Sequence, residues 1–273
     1  MHLLAVSVGN TRTRFGLFRD RSLDQSVVVE NSDPEAVAAA IRAVPTDRPD
    51  APVVLASVND PFADRVAALL ARDVAGRLHR FGRGFEVPIK NALTDDSTVG
   101  QDRLLNALGA YARGQDACVI VDAGTAVTVD FVDGTGVFQG GAIAPGLNMM
   151  LRALHERTAA LPLLRYQDRP VPPAPPPGPG AEEPSPADPF GRDTPSAMIR
   201  GVRAAVVGMT RLLADEYAQF FGAYPRIIAT GGDAGALFEN DPIVEHIIPD
   251  LTLLGIHAAC VRLLGDGDEG DED

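Results

Sequence analysis

Asp122-Ala123-Gly124-Thr125-Ala126-Val127-Thr128 places a carboxylate at the end of an apolar run, with a glycine–threonine turn behind it. A carboxylate there can hold a cation, while the Thr125 hydroxyl and neighbouring backbone N–H groups grip phosphate oxygens. The plainer reading is a β-turn whose aspartate caps local N–H groups. Matching turns at Gly9-Asn10-Thr11 and Thr230-Gly231-Gly232 favour the phosphate reading. Glycine lets the backbone approach a ligand closely, and short hydroxyl or amide side chains add donors. A second set, Gly100-Gln101-Asp102-Arg103, opens a predicted helix. Asp102 there either complements the helix dipole or acts as a general base beside a phosphoryl acceptor, with Arg103 holding an anionic substrate group. Taken alone, the dipole explanation prevails.

The elements that must position these residues come in two similar units. Leu3–Phe18 (LLAVSVGNTRTRFGLF) and Ala117–Val132 (ACVIVDAGTAVTVDFV) each read as strand, polar glycine turn, strand. Two such turns facing one another make a clamp for a triphosphate. The pattern predicts a hairpin-like pair at Leu3–Val8 and Thr13–Phe18, a helix at Pro34–Val44 and a buried strand at Ala51–Val58. An amphipathic helix is expected over Pro61–Leu78, with Val66, Leu69 and Leu70 on its apolar side, and another over Gln101–Arg113. Further on, helices are expected at Ser196–Phe221 and Leu251–Leu264, with a strand at Arg226–Thr230. The repetition suggests duplication of a supersecondary unit, dividing the chain into domains 1–114 and 115–265. A proline-rich insertion at 166–189 cannot continue a helix or interior strand, and reads as an exposed spacer. Residues 266–273 form an acidic tail.

Composition narrows the function classes. The net charge of −13 disfavours nucleic acid as a partner, since phosphate backbones select Lys/Arg surfaces. Local backbone amides and a metal ion can still hold a small anion. No basic leader and no apolar run of transmembrane length is present, so no membrane is expected and the location reads as cytoplasmic. Cys118 and Cys260 sit in apolar runs without metal-type spacing and read as buried thiols. The five histidines, His2, His79, His155, His246 and His257, are likewise scattered without ligand spacing.

Taken in order, Gly9-Asn10-Thr11, Gly100–Arg103, Asp122–Thr128, Gly140-Gly141-Ala142-Ile143-Ala144-Pro145-Gly146 and Thr230-Gly231-Gly232 resemble the motifs of type III pantothenate kinase. Thr158–Pro162 and Gly191–Thr194 are similar to two further segments of that family. The resemblance implies an α/β fold of the acetate and sugar kinase/Hsc70/actin superfamily, two ribonuclease H-like domains flanking a nucleotide cleft. It implies ATP-dependent phosphorylation of pantothenate, the first step of coenzyme A synthesis, by a homodimer. It also implies Mg²⁺ with ATP, and a monovalent cation, K⁺ or NH4⁺. By that similarity Ser7, Val8, Gly9, Asn10, Thr11, Arg12, Thr13 and Arg14 lie along the ATP phosphates, and Thr125 touches ATP. Asp102 takes the proton from the pantothenate hydroxyl, while Gly100, Gln101 and Arg103 line the acceptor site. Arg103 partners the pantothenate carboxylate and Asp122 holds the monovalent cation. Thr194 matches a substrate contact supplied by the dimer partner, and Gly141, Pro145 and Gly146 shape the cleft loop of the second domain.

Two places depart from the family pattern. Ser7 stands where the first phosphate motif normally begins with Asp, which removes a charge beside the metal–phosphate cluster and should weaken cation binding. Leu93, Asp95 and Asp96 stand where the family often has a Tyr and an Asn-Pro pair, so the acceptor pocket is expected to be remodelled. A noncatalytic nucleotide-binding or regulatory relative, and a kinase for another small hydroxy acid, therefore stay open as alternatives.

Overall fold

Both halves of the chain build a mixed sheet with the same strand logic, as seen in a computed structural model that describes residues 1–45, 48, 50–74, 77–168 and 189–265. Most of the proline-rich insertion and the whole acidic tail lie outside the described residues. The first sheet contains β1 (His2–Val8), β2 (Arg12–Arg19), β3 (Ser22–Glu30), β4 (Val53–Ser57), β5 (Leu78–Phe81) and β6 (Gly84–Phe85), in the order β3-β2-β1-β4-β5-β6. The second contains β7 (Cys118–Ala123), β8 (Ala126–Val132), β9 (Phe138–Pro145), β10 (Arg226–Thr230) and β11 (His246–Ile247), in the order β11-β10-β7-β8-β9. In each, an antiparallel three-strand meander is extended by parallel strands from the far side of its first strand. The fold is α/β with two related mixed sheets, as expected.

Helices complete three cores. α1 (Pro34–Arg42) and α2 (Asp60–Leu70) cover the outer face of the first sheet, where Val6, Val8, Phe15 and Leu55 pack. On the outer face of the second sheet lie α4 (Leu147–Glu156), α5 (Thr194–Phe221) and α6 (Ala234–Phe238), over Val119, Val121, Val129 and Ile227. Between the two inner faces run α3 (Gln101–Gly114) and α7 (Leu251–Gly265). This central core joins Leu3, Ala5 and Val54 of one sheet to Cys118, Ile120 and Ile228 of the other. The two central helices touch backbone to backbone: a Cβ at Gly255 would lie 2.0 Å from the Leu105 carbonyl oxygen, so only glycine fits the crossing.

Strand alternation then decides where polar side chains go. Along β1, Leu3 and Ala5 face the central core, and Ser7 follows on the same side at the carboxyl end. Along β7, Cys118 and Ile120 do the same and Asp122 follows. Each inner face thus changes from apolar to polar where its strand ends, the usual place for ligands in α/β sheets.

Several boundaries differ from expectation. The helix expected over Pro61–Leu78 stops at Leu70, because Leu78 pairs in parallel with Val53 as the start of β5. The polar strand β3 is an element that the sequence pattern does not signal. The two thiols are buried, and desolvation pushes Cys118 up to about 12 and Cys260 up to about 11.

Candidate active site

Two glycine turns meet at the carboxyl ends of β1 and β7. In the first, the Gly9 N–H donates to the Arg12 carbonyl (3.0 Å), and the Gly9 carbonyl accepts from Asn31 Nδ2 (2.8 Å). Asn31 also takes the Thr13 hydroxyl on Oδ1 (2.6 Å), tying the turn to the end of β3. In the second, the Gly124 N–H donates to the Ala126 carbonyl (3.0 Å). Here three chain segments are pressed together. A Cβ at Gly146 would lie 2.2 Å from the Gly124 carbonyl oxygen, and one at Gly231 (φ +93°) would lie 2.3 Å from that of Ala123. The contact that joins the turns is between hydroxyls: Thr11 Oγ1 and Thr125 Oγ1 lie 2.8 Å apart. Arg12 reaches the third glycine turn, its Nη1 lying 3.5 Å from the position of a Cβ on Gly232.

Below the turns, α3 presents Asp102 and, one helical turn on, Asn106. Gly100 is the N-cap and supplies no side chain, so the Asp102 carboxylate bends back over it, accepting the Arg103 N–H (2.8 Å). A Cβ at Gly100 would lie 2.5 Å from Asp102 Oδ1. Desolvation raises the Asp102 carboxyl, the nearby Asp130 charge raises it further, and the Arg103 N–H acts against both. Asp122 is pushed up to about 7, chiefly by desolvation and then by the Asp102 charge. Asn106 Nδ2 donates to Asp122 Oδ2 (2.9 Å), and the Thr252 hydroxyl donates to Asn106 Oδ1 (2.7 Å). Asp102, Asp122 and Asp130 therefore form one electrostatically coupled set, facing Arg103 and Arg14.

Arg103 does not stand free. Its Nε and Nη2 donate to Asp130, which is raised by desolvation and 3% exposed. Arg14 donates to Asp250 (2.6 Å), just before α7. Ser7 sits opposite Arg14 in the strand pairing, as Asp122 sits opposite Thr128, so Ser7 and Asp122 hold matching places in the two units. Val8 is buried in the outer core, so the first turn meets the cleft through Gly9, Asn10, Thr11 and Arg12. The Gln101 side chain lies against the β5–β6 turn at Gly82, its Oε1 buried without a hydrogen-bond partner. Thr194 begins α5 and shares no hydrogen bond with the Asp102 set among the described residues. The loop before Gly100 is stapled by its own side chains: Asn91 Nδ2 donates to Asp96 (3.1 Å), and the Leu93 N–H to Asn91 (3.1 Å).

Asn31, Asn106, Asp130, Asp250 and Thr252 were not singled out from the sequence. Asp130 had the best available signal, a lone carboxylate in the β-branched run after the Gly124 turn.

No set of three or more His, Cys, Asp or Glu residues among the described residues could hold a metal ion by itself. Asp122 nonetheless fits a cation: it is a desolvated carboxylate with one amide donor and other negative charges beside it. A site with so few protein ligands suits an ion completed by nucleotide oxygens and water.

The family profile of type III pantothenate kinase matches residues 3–216. The chain belongs to the type III pantothenate kinase family. That family phosphorylates pantothenate in coenzyme A biosynthesis, which makes this chain a kinase. The type III pantothenate kinase of Dehalococcoides mccartyi strain CBDB1 is 30% identical over 266 residues, covering 93% of each chain. That of Myxococcus xanthus is 29% identical over 262 residues, covering 93% of this chain and 96% of its own. The fold also matches the activator of 2-hydroxyisocaproyl-CoA dehydratase from Clostridium difficile, with a TM-score of 0.54 and 12% identity over all of both chains.

Proposed function

We propose that this kinase transfers the γ-phosphoryl group of ATP to the primary hydroxyl of pantothenate in the cleft between its two sheets. The observation that carries this reading is the meeting of Thr11 and Thr125, which joins the two glycine turns at the strand ends where buried Asp122 feels the Asp102 charge. Of the segment Ser7–Arg14 proposed to lie along the phosphates, Asn10, Thr11 and Arg12 offer donors toward the cleft, and the Thr125 hydroxyl adds another. Asp102 accepts the proton of the attacking hydroxyl, a role supported by its raised affinity for protons and its place at the start of α3. Gly100, Gln101 and Arg103 line the acceptor side. Mg²⁺ bound with ATP neutralises developing phosphate charge, and Asp122 holds the monovalent cation, K⁺ or NH4⁺. Catalysis then rests on positioning and charge neutralisation.

Thr194, which begins α5, would serve the partner's site in a homodimer. A cytoplasmic location fits the reaction, and no helix among the described residues is long and apolar enough to cross a membrane.

The test is purified protein with ATP, Mg²⁺ and pantothenate, with and without K⁺, read by phosphopantothenate formation. Absence of product at high enzyme concentration removes this reading. The Ser7 departure favours a second one, a nucleotide binder without transfer, which would bind ATP in the same assay and release no ADP to any hydroxy acid.

A further inference from the structure

The Arg103 guanidinium is held along one edge only. Its Nε lies 3.1 and 3.2 Å from the two Asp130 oxygens and its Nη2 lies 2.5 Å from Asp130 Oδ1. Among the described residues its Nη1 makes no hydrogen bond, and the side chain keeps 14% of its surface exposed. One face of the guanidinium is covered by Phe138, whose ring centroid is 5.5 Å from Cζ. The pair with Asp130 therefore leaves Nη1 unused, beside the Asp102 charge.

Asp130 is itself tightly constrained. It pairs with Gly141 across β8 and β9, and a Cβ on Gly141 would lie 2.5 Å from Asp130 Oδ1 and 2.1 Å from the Val129 carbonyl oxygen. The Thr128 side chain, two residues earlier in β8, lies near enough to lower its carboxyl. Strand register and a bare glycine thus fix the carboxylate beside that hydroxyl, and the carboxylate fixes the arginine.

We propose that Asp130 is a positioning residue, which orients Arg103 so that its free Nη1 edge meets the carboxylate of the acceptor. This rests on the pantothenate reading above. A guanidinium on a flexible stem loses conformational freedom on binding an anion, and one already clamped loses less. Asp130 also offsets the arginine charge, so the acceptor is selected by geometry at one carboxylate rather than by bulk positive potential.

The experiment compares wild type with Asp130→Asn on pantothenate and on pantothenol, the analogue with an alcohol in place of the carboxylate, as substrate or competitive inhibitor. Loss of a charge-assisted contact corresponds to roughly 10- to 100-fold in affinity. In the variant the KM for pantothenate should rise by that factor, with kcat changed much less and pantothenol affinity kept. Thr128→Val, which retains the Asp130 charge, should shift the same ratio in the same direction by a smaller factor. Equal losses on both acceptors together with a lowered Tm make Asp130 a structural ion pair and overturn the proposal. Unchanged KM values overturn it as well. If wild type itself transfers nothing to pantothenate, the functional reading fails first. If it does and the acid-to-alcohol ratio survives both substitutions, only the role of Asp130 fails.

Discussion

Thr11 and Thr125, 114 residues apart in the chain, place their hydroxyl oxygens 2.8 Å from each other. Each belongs to a glycine turn at the end of a central strand, and together they close the top of the cleft. A triphosphate entering there would exchange this hydroxyl pair for phosphate oxygens. Thr125→Val keeps the shape and removes one donor. We expect the KM for ATP to rise about tenfold, the scale of one hydrogen bond to a charged group, with little change in the KM for pantothenate. Steady-state kinetics with each substrate varied checks this, and an unchanged ATP KM would remove Thr125 from the nucleotide site.

Asp102→Asn keeps the volume and removes the base. Turnover should fall by about 10²- to 10⁴-fold while Tm is kept or rises, since a desolvated charge is lost. Because desolvation raises the wild-type carboxyl, and the base must be deprotonated to work, activity should decline as pH falls through a value above the ordinary carboxylate range. A pH profile flat down to pH 4 would show that Asp102 is not the proton acceptor.

Ser7 holds in the first unit the place that Asp122 holds in the second. Restoring a carboxylate with Ser7→Asp should tighten Mg²⁺·ATP binding or speed turnover, as read by calorimetry and by kcat. Abolished activity would mean that the serine belongs to a reworked metal site.

Asp122 gives a prediction about stability. Its folded pKa of about 7 lies above the unfolded carboxyl value, so folding favours the protonated form. That contribution is complete below the unfolded pKa near 4 and is lost as pH rises through 7. Without K⁺ or nucleotide, Asp122→Asn should therefore match the wild-type Tm near pH 4 and exceed it at pH 8. Added K⁺ should narrow the gap by binding only the wild type. Thermal melts across pH in sodium-free, potassium-free buffer test this, and equal Tm values at pH 8 would contradict it.

Much of this arrangement is legible in the residues themselves. The turn glycines and Asp122 stand out because the same polar glycine turn recurs after a β-branched run in both units, and Asp102 stands out only through its place in the ordered set of motifs. Thr230 closes β10 as expected, since its strand is short and uninterrupted. What stays hidden is partnership across the sequence. Asn106 looks like any helical asparagine until Thr252 and Asp122 are found on either side of it. Asp130 shows its meaning only once Gly141 is seen to leave room for it. The end of α2 was missed for a similar reason, since only the pairing of Leu78 with Val53 draws those residues out of a helix.

The packing of α7 bears on how the polypeptide matures. Leu253, Ile256 and Ala259 help seal the inner side of a sheet whose first strand starts at His2. While a ribosome is still synthesising the stretch before Leu251, α3 alone covers that oily surface. Nascent chains of this protein should therefore lean on a chaperone until the last helix emerges, and gain resistance to protease only then.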